Sequence, residues 1–302
     1  YFNANIKNYC NSIFCDITNF HLLNKYIEEI DPEIVFHLAA QAFVRDSYRD
    51  PLKTFNTNII GTANILQSLN NKNSVKVAVM ITTDKVYKNN EWIRPYKEDD
   101  ILGGIDPYSA SKAASEIIIS SYRESVLKNK KINIASARAG NVIGGGDWSK
   151  ERLIPDIIRA WNDGKKVIIR HPYATRPWQH VLDPLNGYLN LAEKLWNDKL
   201  ITGAYNFGPG PDGNISVENV LQKASFFYGG GSYKIENEVD NFHESGMLAL
   251  DSSKSEKILN VKCKLSIEHA LEKTFNWYKK HNLGENAYDL CAKDIEFYKN
   301  IK

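Results

Sequence analysis

The sequence predicts an α/β protein in which a doubly wound parallel sheet is followed by a smaller, mixed C-terminal lobe. In residues 1–141, short and nearly continuous apolar runs alternate with amphipathic segments. Parallel strands that helices bury on both faces show this pattern. After about residue 142, glycine, proline and tryptophan become frequent, which is typical of a lobe that closes over a site. We expect one domain at residues 1–141, joined by about 178–207, and a lobe at 142–302, mainly 142–177 and 208–302.

Each element of the sheet domain follows from its local sequence. The apolar runs predict strands, namely SIFCDI at 12–17, EIVFHLAA at 33–40, VKVAVMITT at 75–83 and INIASARAG at 132–140. The amphipathic segments between them predict helices at 19–30, 50–70 and 107–128. The last helix has the clearest beginning. Asp106 stands at the N-cap position, and Pro107 fixes φ near the helical value without leaving an N–H unpaired.

Composition argues against several classes of protein. The formal net charge is +2, so nothing indicates binding to nucleic acid or to an acidic membrane surface. No apolar run approaches the length of about 18 residues that a membrane span needs. The four cysteines show neither metal-ligand spacing nor a disulfide framework, so we expect no metal and a reducing, cytoplasmic setting.

Two residues at the start of the third helix suggest catalysis. Tyr108 and Lys112 are one turn apart and therefore share one helix face. An ammonium near a phenol lowers the tyrosine pKa from about 10, and the phenolate can then take a proton from a hydroxyl. The same spacing recurs at Tyr298 and Lys302, in a polar tail without a cap, small neighbours or an apolar partner face. We expect that second copy to have no role.

The carboxyl ends of the predicted strands bring polar and small residues together. In open parallel sheets, ligands bind beyond these ends. The residues at that edge are, in chain order, Asp16 and Ile17, Ala39 and Ala40, Thr82 to Lys85, and Gly140 and Asn141. Together with the helix that carries Tyr108, they predict one binding site at one edge of the sheet.

Six stretches of the sequence resemble a known family. They are HLAAQAFVRDSYRDPLKTFNTNIIGT, TTDKVYKNNEW, DPYSASKA, SARAGNVIGGGDW, RLIPDIIRAW and RPWQHVLDPLNGY. Over about residues 10 to 280 the chain resembles the extended short-chain dehydrogenase/reductases, and more narrowly the group of CDP-glucose 4,6-dehydratases. The resemblance implies a Rossmann-like NAD-binding domain and a substrate-binding lobe. It also implies a homodimer or higher homo-oligomer, for which the predicted helices at 50–70 and 107–128 are long enough to form a face.

The resemblance implies a nucleotide-sugar substrate, CDP-glucose, which is oxidised at C4, loses water across C5 and C6, and receives hydride at C6. The implied catalytic residues are Thr83, Asp84, Lys85, Tyr108 and Lys112. Tyr108 would take the C4 hydroxyl proton, Lys112 would hold the phenolate and a cofactor ribose, and Asp84 would be the acid at C6. The implied NAD-binding residues are Asp16, Ile17, Leu38, Ala39, Ala40, Thr57, Tyr108 and Lys112. Those for the nucleotide sugar are Thr83, Asn141, Arg152 and Arg176.

The sequence departs from the family pattern in two places. Lys85 stands where dTDP-type dehydratases have glutamate, so it would act as a neutral base or, as we favour, as a cation that stabilises the enolate. No strand with a glycine-rich turn precedes residue 12, so we expect a sheet that is incomplete at its N-terminus and weak binding of NAD. The match to such a turn at 208–213, GPGPDG, is expected to be a connection in the lobe, because Pro209 and Pro211 lack N–H donors.

Other functions and other roles stay open at this point. A nucleotide-sugar 4-epimerase would keep Tyr108 and Lys112 but needs no acid at Asp84. A non-catalytic nucleotide-sensing module would need none of the three. As structural alternatives, Asp84 could cap a helix, Arg176 could be a surface charge and Asn141 could be a turn residue.

Overall fold

The protein's structure, a computed structural model, describes residues 4–70, 72–236 and 246–301. Its strands, in chain order, are β1 Ile34–His37, β2 Val77–Ile81, β3 Asn133–Ala139, β4 Asn141–Ile143, β5 Val167–Ile169, β6 Thr175–His180, β7 Gly203–Phe207, β8 Asn214–Ser216 and β9 Tyr233–Ile235. Four of them form a parallel sheet in the order β1-β2-β3-β7. The α/β fold that the alternating pattern predicts is confirmed.

Helices cover this sheet and build the lobe. In chain order they are α1 Phe20–Ile30, α2 Val44–Arg49, α3 Pro51–Phe55, α4 Gly61–Leu69, α5 Pro107–Ser121, α6 Leu153–Asn162, α7 Leu182–Asn197, α8 Val217–Tyr228, α9 Ser253–Leu259, α10 Ile267–Asn282 and α11 Ala287–Asn300. Within the described ranges, no helix is both long enough and apolar enough to span a membrane.

The central strand β2 shows that the sheet is buried on both faces. Val77 and Val79 pack with side chains of α7, whereas Ala78 and Met80 pack with side chains of α1 and α4. All four are fully buried. Since alternate residues of a strand face opposite sides of the sheet, this near-continuous apolar run requires helices on both sides. The doubly wound arrangement follows.

The predicted strand at 12–17 is wrong. Residues 11–16 have no regular secondary structure, and Phe14 is 90% exposed. A strand needs a neighbour that satisfies its backbone hydrogen bonds, and among the described residues β1 pairs only with β2. The end of the segment is held by a side chain instead, because Asn64 of α4 donates to the carbonyls of Ile17 and Thr18 at 2.9 and 3.2 Å.

A turn of π-helix interrupts the predicted helix at 50–70. The turn, Asn56–Ile60, joins α3 to α4, and its Asn58 side chain is buried. Asn58 Nδ2 donates to the Gln41 carbonyl at 2.9 Å and to Ser111 Oγ at 2.8 Å, and Asn58 Oδ1 accepts from Gln41 N at 2.8 Å. The turn therefore ties the loop after β1 to α5, and π-turns are frequent at functional sites.

Helix α5 begins as the sequence predicts. Pro107 is its first residue, and the Asp106 carboxylate accepts a hydrogen bond from Ser109 N at 2.9 Å. The hydroxyl of Ser115 donates to the Asn58 carbonyl at 2.9 Å, so the small residues of α5 let it lie directly against the π turn. This close packing fixes the position of the first turns of α5 relative to the sheet.

The lobe has an apolar core of its own. Its strands form two small sheets, β4-β6-β8 and β5-β9. Trp161 of α6, Trp178 of β6 and Phe275 of α10 are buried in this core, whose buried members lie within 143–178 and 220–290. The packing places β4, β6 and α6 beside the carboxyl end of the parallel sheet.

Candidate active site

A cavity of about 450 Å³ lies between the carboxyl ends of β2 and β3 and the lobe. Six residues predicted for the site line it, namely Thr83, Lys85, Tyr108, Asn141, Arg152 and Arg176. Pockets that hold small molecules have volumes of about 300–1,000 Å³. The structure thus brings these side chains together around a space that suits a small ligand.

Thr83, Asp84 and Lys85 meet in the turn that follows β2. The Thr83 hydroxyl donates to Asp84 Oδ1 at 2.9 Å, and Lys85 Nζ donates to the same oxygen at 3.0 Å. Asp84 is fully buried, and its Oδ2 has no hydrogen-bond partner among the described residues. An unpartnered buried oxygen is costly, which marks Asp84 as a candidate for a functional role. Thr83, and not Asp84, caps the short helical turn, which removes the capping alternative for Asp84.

Tyr108 and Lys112 are both buried at the start of α5. Burial raises the pKa of Tyr108 to about 12, and a hydrogen bond with Thr83 partly opposes that rise. Burial lowers the pKa of Lys112 to about 8, an effect that Glu116 partly opposes, and Lys112 Nζ donates to the Ile81 carbonyl at 3.1 Å. The lowered tyrosine pKa that the spacing predicts is therefore wrong, because desolvation of the phenol outweighs the hydrogen bond with Thr83 and the charge of Arg152.

The three residues predicted for the nucleotide sugar surround the cavity from different elements. Asn141 begins β4, so it is not a turn residue, and its buried Oδ1 has no partner among the described residues. Arg152 is exposed, donates to the Ala42 carbonyl at 3.2 Å and lies over the Phe43 ring at 5.1 Å. Arg176 is 9% exposed and donates to backbone carbonyls, so it is not a surface charge. The Asn141 oxygen, which is a hydrogen-bond acceptor, and the guanidinium groups of Arg152 and Arg176 thus border the cavity.

Asp84 and Lys112 do not line this cavity, and nor do the remaining predicted cofactor residues, which are Asp16, Ile17, Leu38, Ala39, Ala40 and Thr57. Leu38 is 53% exposed and Ala39 is exposed, so the loop after β1 presents small and apolar side chains at the surface. Asn58 ties this loop to the π turn that contains Thr57 and to the helix that carries Lys112. This arrangement suits a ligand with a planar ring and hydroxyl groups.

Local contacts hold Asp16 and Ile17 in place. The Asp16 carboxylate accepts hydrogen bonds from the N–H and the hydroxyl of Thr18 at 2.9 and 2.8 Å, and these bonds lower its pKa. Asp16 is exposed, so the carboxylate is accessible to a ligand. Ile17 packs against α4. A Cβ added at Gly61 of that helix would lie 2.5 Å from Ile17 Cδ1. Glycine at that position therefore allows the segment to approach the helix.

Three residues near the site were missed by sequence reasoning. Tyr188 of α7 lines the cavity, and burial raises its pKa. Glu116 is buried one turn beyond Lys112, and that helical spacing was a signal that could have identified it. Asn58 gave no signal, because its position depends on the π turn.

The two other motif matches in the sequence have different outcomes. GPGPDG at 208–213 connects β7 to β8, with Gly208 N donating to Ser252 Oγ at 2.8 Å and Gly213 N to the Gly210 carbonyl at 2.9 Å. It is a connection, as predicted. Tyr298, in contrast, is not in an unpacked tail, since it is buried in α11 and its hydroxyl donates to Asp183 Oδ1 at 2.9 Å. The expected polar tail without a partner face is therefore wrong, because Tyr298 is packed in α11, whereas the absence of a catalytic role stays a prediction. Lys302 lies outside the described residues.

Comparisons with known proteins agree with this architecture. Residues 3–274 match the family model described as GDP-mannose 4,6 dehydratase. The chain is 39% identical to the CDP-glucose 4,6-dehydratase of Salmonella typhimurium, covering 94% of this chain and 80% of that protein. It is 25% identical to the UDP-glucose 4-epimerase of Mycoplasma genitalium, covering 91% of this chain and 83% of that protein. The solved structure of dTDP-glucose 4,6-dehydratase from Bacillus anthracis in complex with NAD matches with a TM-score of 0.76 at 24% identity, covering 90% of this chain and 80% of that one.

Proposed function

Because the chain belongs to the GDP-mannose 4,6-dehydratase family of the extended short-chain dehydrogenase/reductases, we propose that it is a nucleotide-sugar 4,6-dehydratase. The proposed substrate is CDP-glucose, the cofactor is NAD, and the products are CDP-4-dehydro-6-deoxyglucose and water. The choice of CDP-glucose rests on the relative that is 39% identical and on lysine at position 85.

The observation that carries the proposal is the environment of the Asp84 carboxyl. Asp84 is joined to Thr83 and Lys85 within one turn, beside the cavity that both neighbours line with Tyr108. A 4-epimerase changes the sugar only at C4, so it has no use for a proton donor at C6. The buried, partly unsatisfied carboxyl of Asp84 therefore favours dehydration over epimerisation.

The residues at the sheet edge fit NAD. Asp16 and Ile17 would contact the adenine, residues 38–40 and Thr57 would line the cofactor, and Lys112 would hold a ribose hydroxyl. The buried ammonium of Lys112 has three donors, and the loop at 38–40 offers an exposed apolar surface to a planar ring. The chemistry that NAD supplies when bound is reversible acceptance of hydride.

The protein's own groups supply the proton transfers. Tyr108 takes the proton of the C4 hydroxyl, and Thr83 hydrogen-bonds the same oxygen. Since burial raises the pKa of Tyr108, its phenolate needs a nearby cation, which Lys112 provides one turn away. Once C4 is a carbonyl, the proton at C5 becomes acidic and passes to a water molecule in the cavity, while the charged Lys85 stabilises the enolate that forms. The C6–O bond then breaks as a C5–C6 double bond forms, and Asp84 protonates the departing oxygen, which leaves as water. Hydride adds at C6, and a proton returns to C5.

Asp84→Asn tests this assignment, because an amide keeps the shape of the side chain but cannot donate an acid proton to the leaving oxygen. In single turnovers with CDP-glucose, we expect reduced nicotinamide and a 4-ketosugar to accumulate, with dehydration slowed about 10²- to 10⁴-fold. Absorbance of the reduced nicotinamide and mass spectrometry of the sugar follow the two steps. Asp156→Asn is the control, because that carboxylate also borders the cavity but pairs with Arg159.

Normal dehydration by Asp84→Asn would show that Asp84 is not the acid. If the unmutated protein interconverts 4-epimers and releases no water, the epimerase alternative is the better one.

We also propose the domain division and the assembly that the sequence suggests. An NAD-binding domain at 1–141 with about 178–207, and a substrate-binding lobe in the rest of 142–302, are supported by distinct apolar cores, although Leu259 and Val261 pack into the core of the sheet and Trp178 packs into that of the lobe. A homodimer through the helical face at 50–70 and 107–128 is supported by exposed apolar side chains there, including Ile60 (47%) and Ile117 (61%). Sedimentation velocity measures the assembly directly.

A further inference from the structure

The end of β2 is attached to α5 through three successive residues. Each contacts a different turn of the helix, namely Ile81 with Lys112, Thr82 with Glu116, and Thr83 with Tyr108. The first and third contacts involve residues of the proposed mechanism. The contact between Thr82 and Glu116 involves no residue with a role in that mechanism, yet Thr82 lies between Ile81 and Thr83 in the chain.

Glu116 is the most fully bonded carboxylate near the site. Oε1 accepts from Thr82 Oγ1 at 2.5 Å and from Arg138 Nε at 2.9 Å, while Oε2 accepts from Ser136 Oγ at 2.7 Å and Arg138 Nη2 at 2.9 Å. The side chains of Glu116 and Arg138 are each only 4% exposed. Burial acts to raise the pKa of Glu116, but Arg138 and the hydrogen bonds outweigh burial and leave it lowered. The carboxylate therefore joins α5, β2 and β3 as a charged group.

Arg138 extends the same network to the far end of the proposed catalytic turn. Its Nη1 donates to the Tyr87 hydroxyl at 2.9 Å and to the Glu98 carbonyl at 3.0 Å. Tyr87 directly follows the turn Asp84–Val86, and its hydroxyl donates to Asn206 Oδ1 at 2.6 Å. The turn is thus held on one side by Thr82 and on the other by Tyr87, and both connections lead to one ion pair.

We propose that the Glu116–Arg138 ion pair positions the Thr83–Lys85 turn against Tyr108, as a pair of positioning residues for the reaction. Both side chains are engaged in the ion pair and its hydrogen bonds, and neither lines the cavity, so the pair acts through Thr82, which does line it, and through Tyr87. The inference rests on the proposed function for its effect on turnover, but not for its effect on the structure of the turn. A displacement of about 1 Å at reacting groups can reduce a rate about 100-fold, so an ion pair that holds the turn in position can affect turnover strongly.

Two matched substitutions test the proposal. Thr82→Val and Ser136→Ala each remove one buried hydroxyl that donates to Glu116, but Thr82 precedes the turn while Ser136 lies within β3. We expect hydrogen exchange across residues 83–87, measured by mass spectrometry, to rise about 10-fold in Thr82→Val and to stay unchanged in Ser136→Ala. We expect kcat to fall about 10- to 100-fold in Thr82→Val with KM within about twofold, and Ser136→Ala to retain turnover.

Thr82→Ser is the rescue variant, because it restores the hydroxyl; it should exchange and turn over as the unmutated protein does. Equal exchange at 83–87 in Thr82→Val and Ser136→Ala would overturn the proposal, as would failure of the serine to restore protection. The exchange comparison needs neither NAD nor substrate. It decides the positioning role even if the protein proves to be an epimerase, whereas the product assay alone decides the proposed function.

Discussion

Lys112→Met should flatten the pH dependence of stability above neutral pH. Lys112 is 6% exposed, and burial lowers its pKa from the ordinary 10.5 to about 8, with Glu116 opposing the fall. The folded protein therefore holds a cation in surroundings that disfavour it. Methionine keeps most of the side-chain volume and carries no charge.

The sign and size of the effect follow from the two pKa values. Between about pH 8 and pH 10.5 the unfolded chain binds more protons at this residue than the folded protein, so the lysine makes stability rise with pH. This gain in the free energy of unfolding is complete above the unfolded-state pKa of 10.5 and is lost as pH falls through the folded-state pKa of about 8. At about 1.4 kcal/mol for each tenfold change in proton affinity, it amounts to about 3 kcal/mol.

Urea unfolding of both proteins at several pH values measures this difference. The free energy of unfolding of the unmutated protein, minus that of Lys112→Met, should increase by roughly 2–3 kcal/mol from about pH 7 to about pH 10. Methionine also loses the hydrogen bond from Lys112 to the Ile81 carbonyl. This loss adds a constant offset to the difference in free energy of unfolding and does not change its slope with pH. Lys76→Met is the control for the loss of a positive charge as such, because that side chain is 48% exposed. A difference that is the same at all pH values would refute a desolvated charge at Lys112.

Two further predictions concern tyrosines with the same sequence spacing to a lysine. Tyr108→Phe in the NAD-loaded protein should lower turnover of the nucleotide sugar about 10²- to 10⁴-fold while binding of the sugar, measured by calorimetry, changes little; turnover within threefold of the original would rule Tyr108 out as the base. Tyr298→Phe should leave turnover intact but lower the free energy of unfolding by about 1–3 kcal/mol, because Asp183 loses a buried donor. Tyr288→Phe in the same helix, where the side chain is 38% exposed, should cost less than about 0.5 kcal/mol.

The parts of the fold that could be predicted are those specified by local sequence. Asp106 and Pro107 predict the start of α5. The near-continuous apolar run predicts β2, because a strand that is buried on both faces has apolar residues at every position. The segment at 12–17 has the composition of a strand, but composition does not supply a ladder partner. The π turn at 56–60 could not be predicted either, because its asparagine bonds to residues that are distant in sequence.

The candidate site shows the same division. Thr83, Lys85 and Asn141 could be placed at one edge because strand ends converge in a parallel sheet. Helical spacing places Glu116 on the face of Lys112, but its burial could not be predicted, since a charged residue in an amphipathic helix is ordinarily solvated and this one is buried against Arg138 of another element. The pKa of Tyr108 was predicted in the wrong direction for a related reason. Helical spacing reveals the neighbouring charge, but only the packed structure reveals how much water has been excluded.

The contact between Asp84 and Lys85 favours the role of Lys85 as a cation over that of a base. A neutral lysine could take the proton from C5, but Lys85 Nζ lies 3.0 Å from Asp84 Oδ1 and donates a hydrogen bond to it. Before elimination, a proton on Asp84 Oδ2 is compatible with this contact, because Oδ1 accepts both hydrogen bonds and Oδ2 accepts none among the described residues. When Asp84 gives that proton to the departing oxygen, it becomes a buried carboxylate. In the proposed mechanism, a charged Lys85 beside it would offset the cost of this buried carboxylate, so one positive charge would stabilise both the enolate and the conjugate base of the acid.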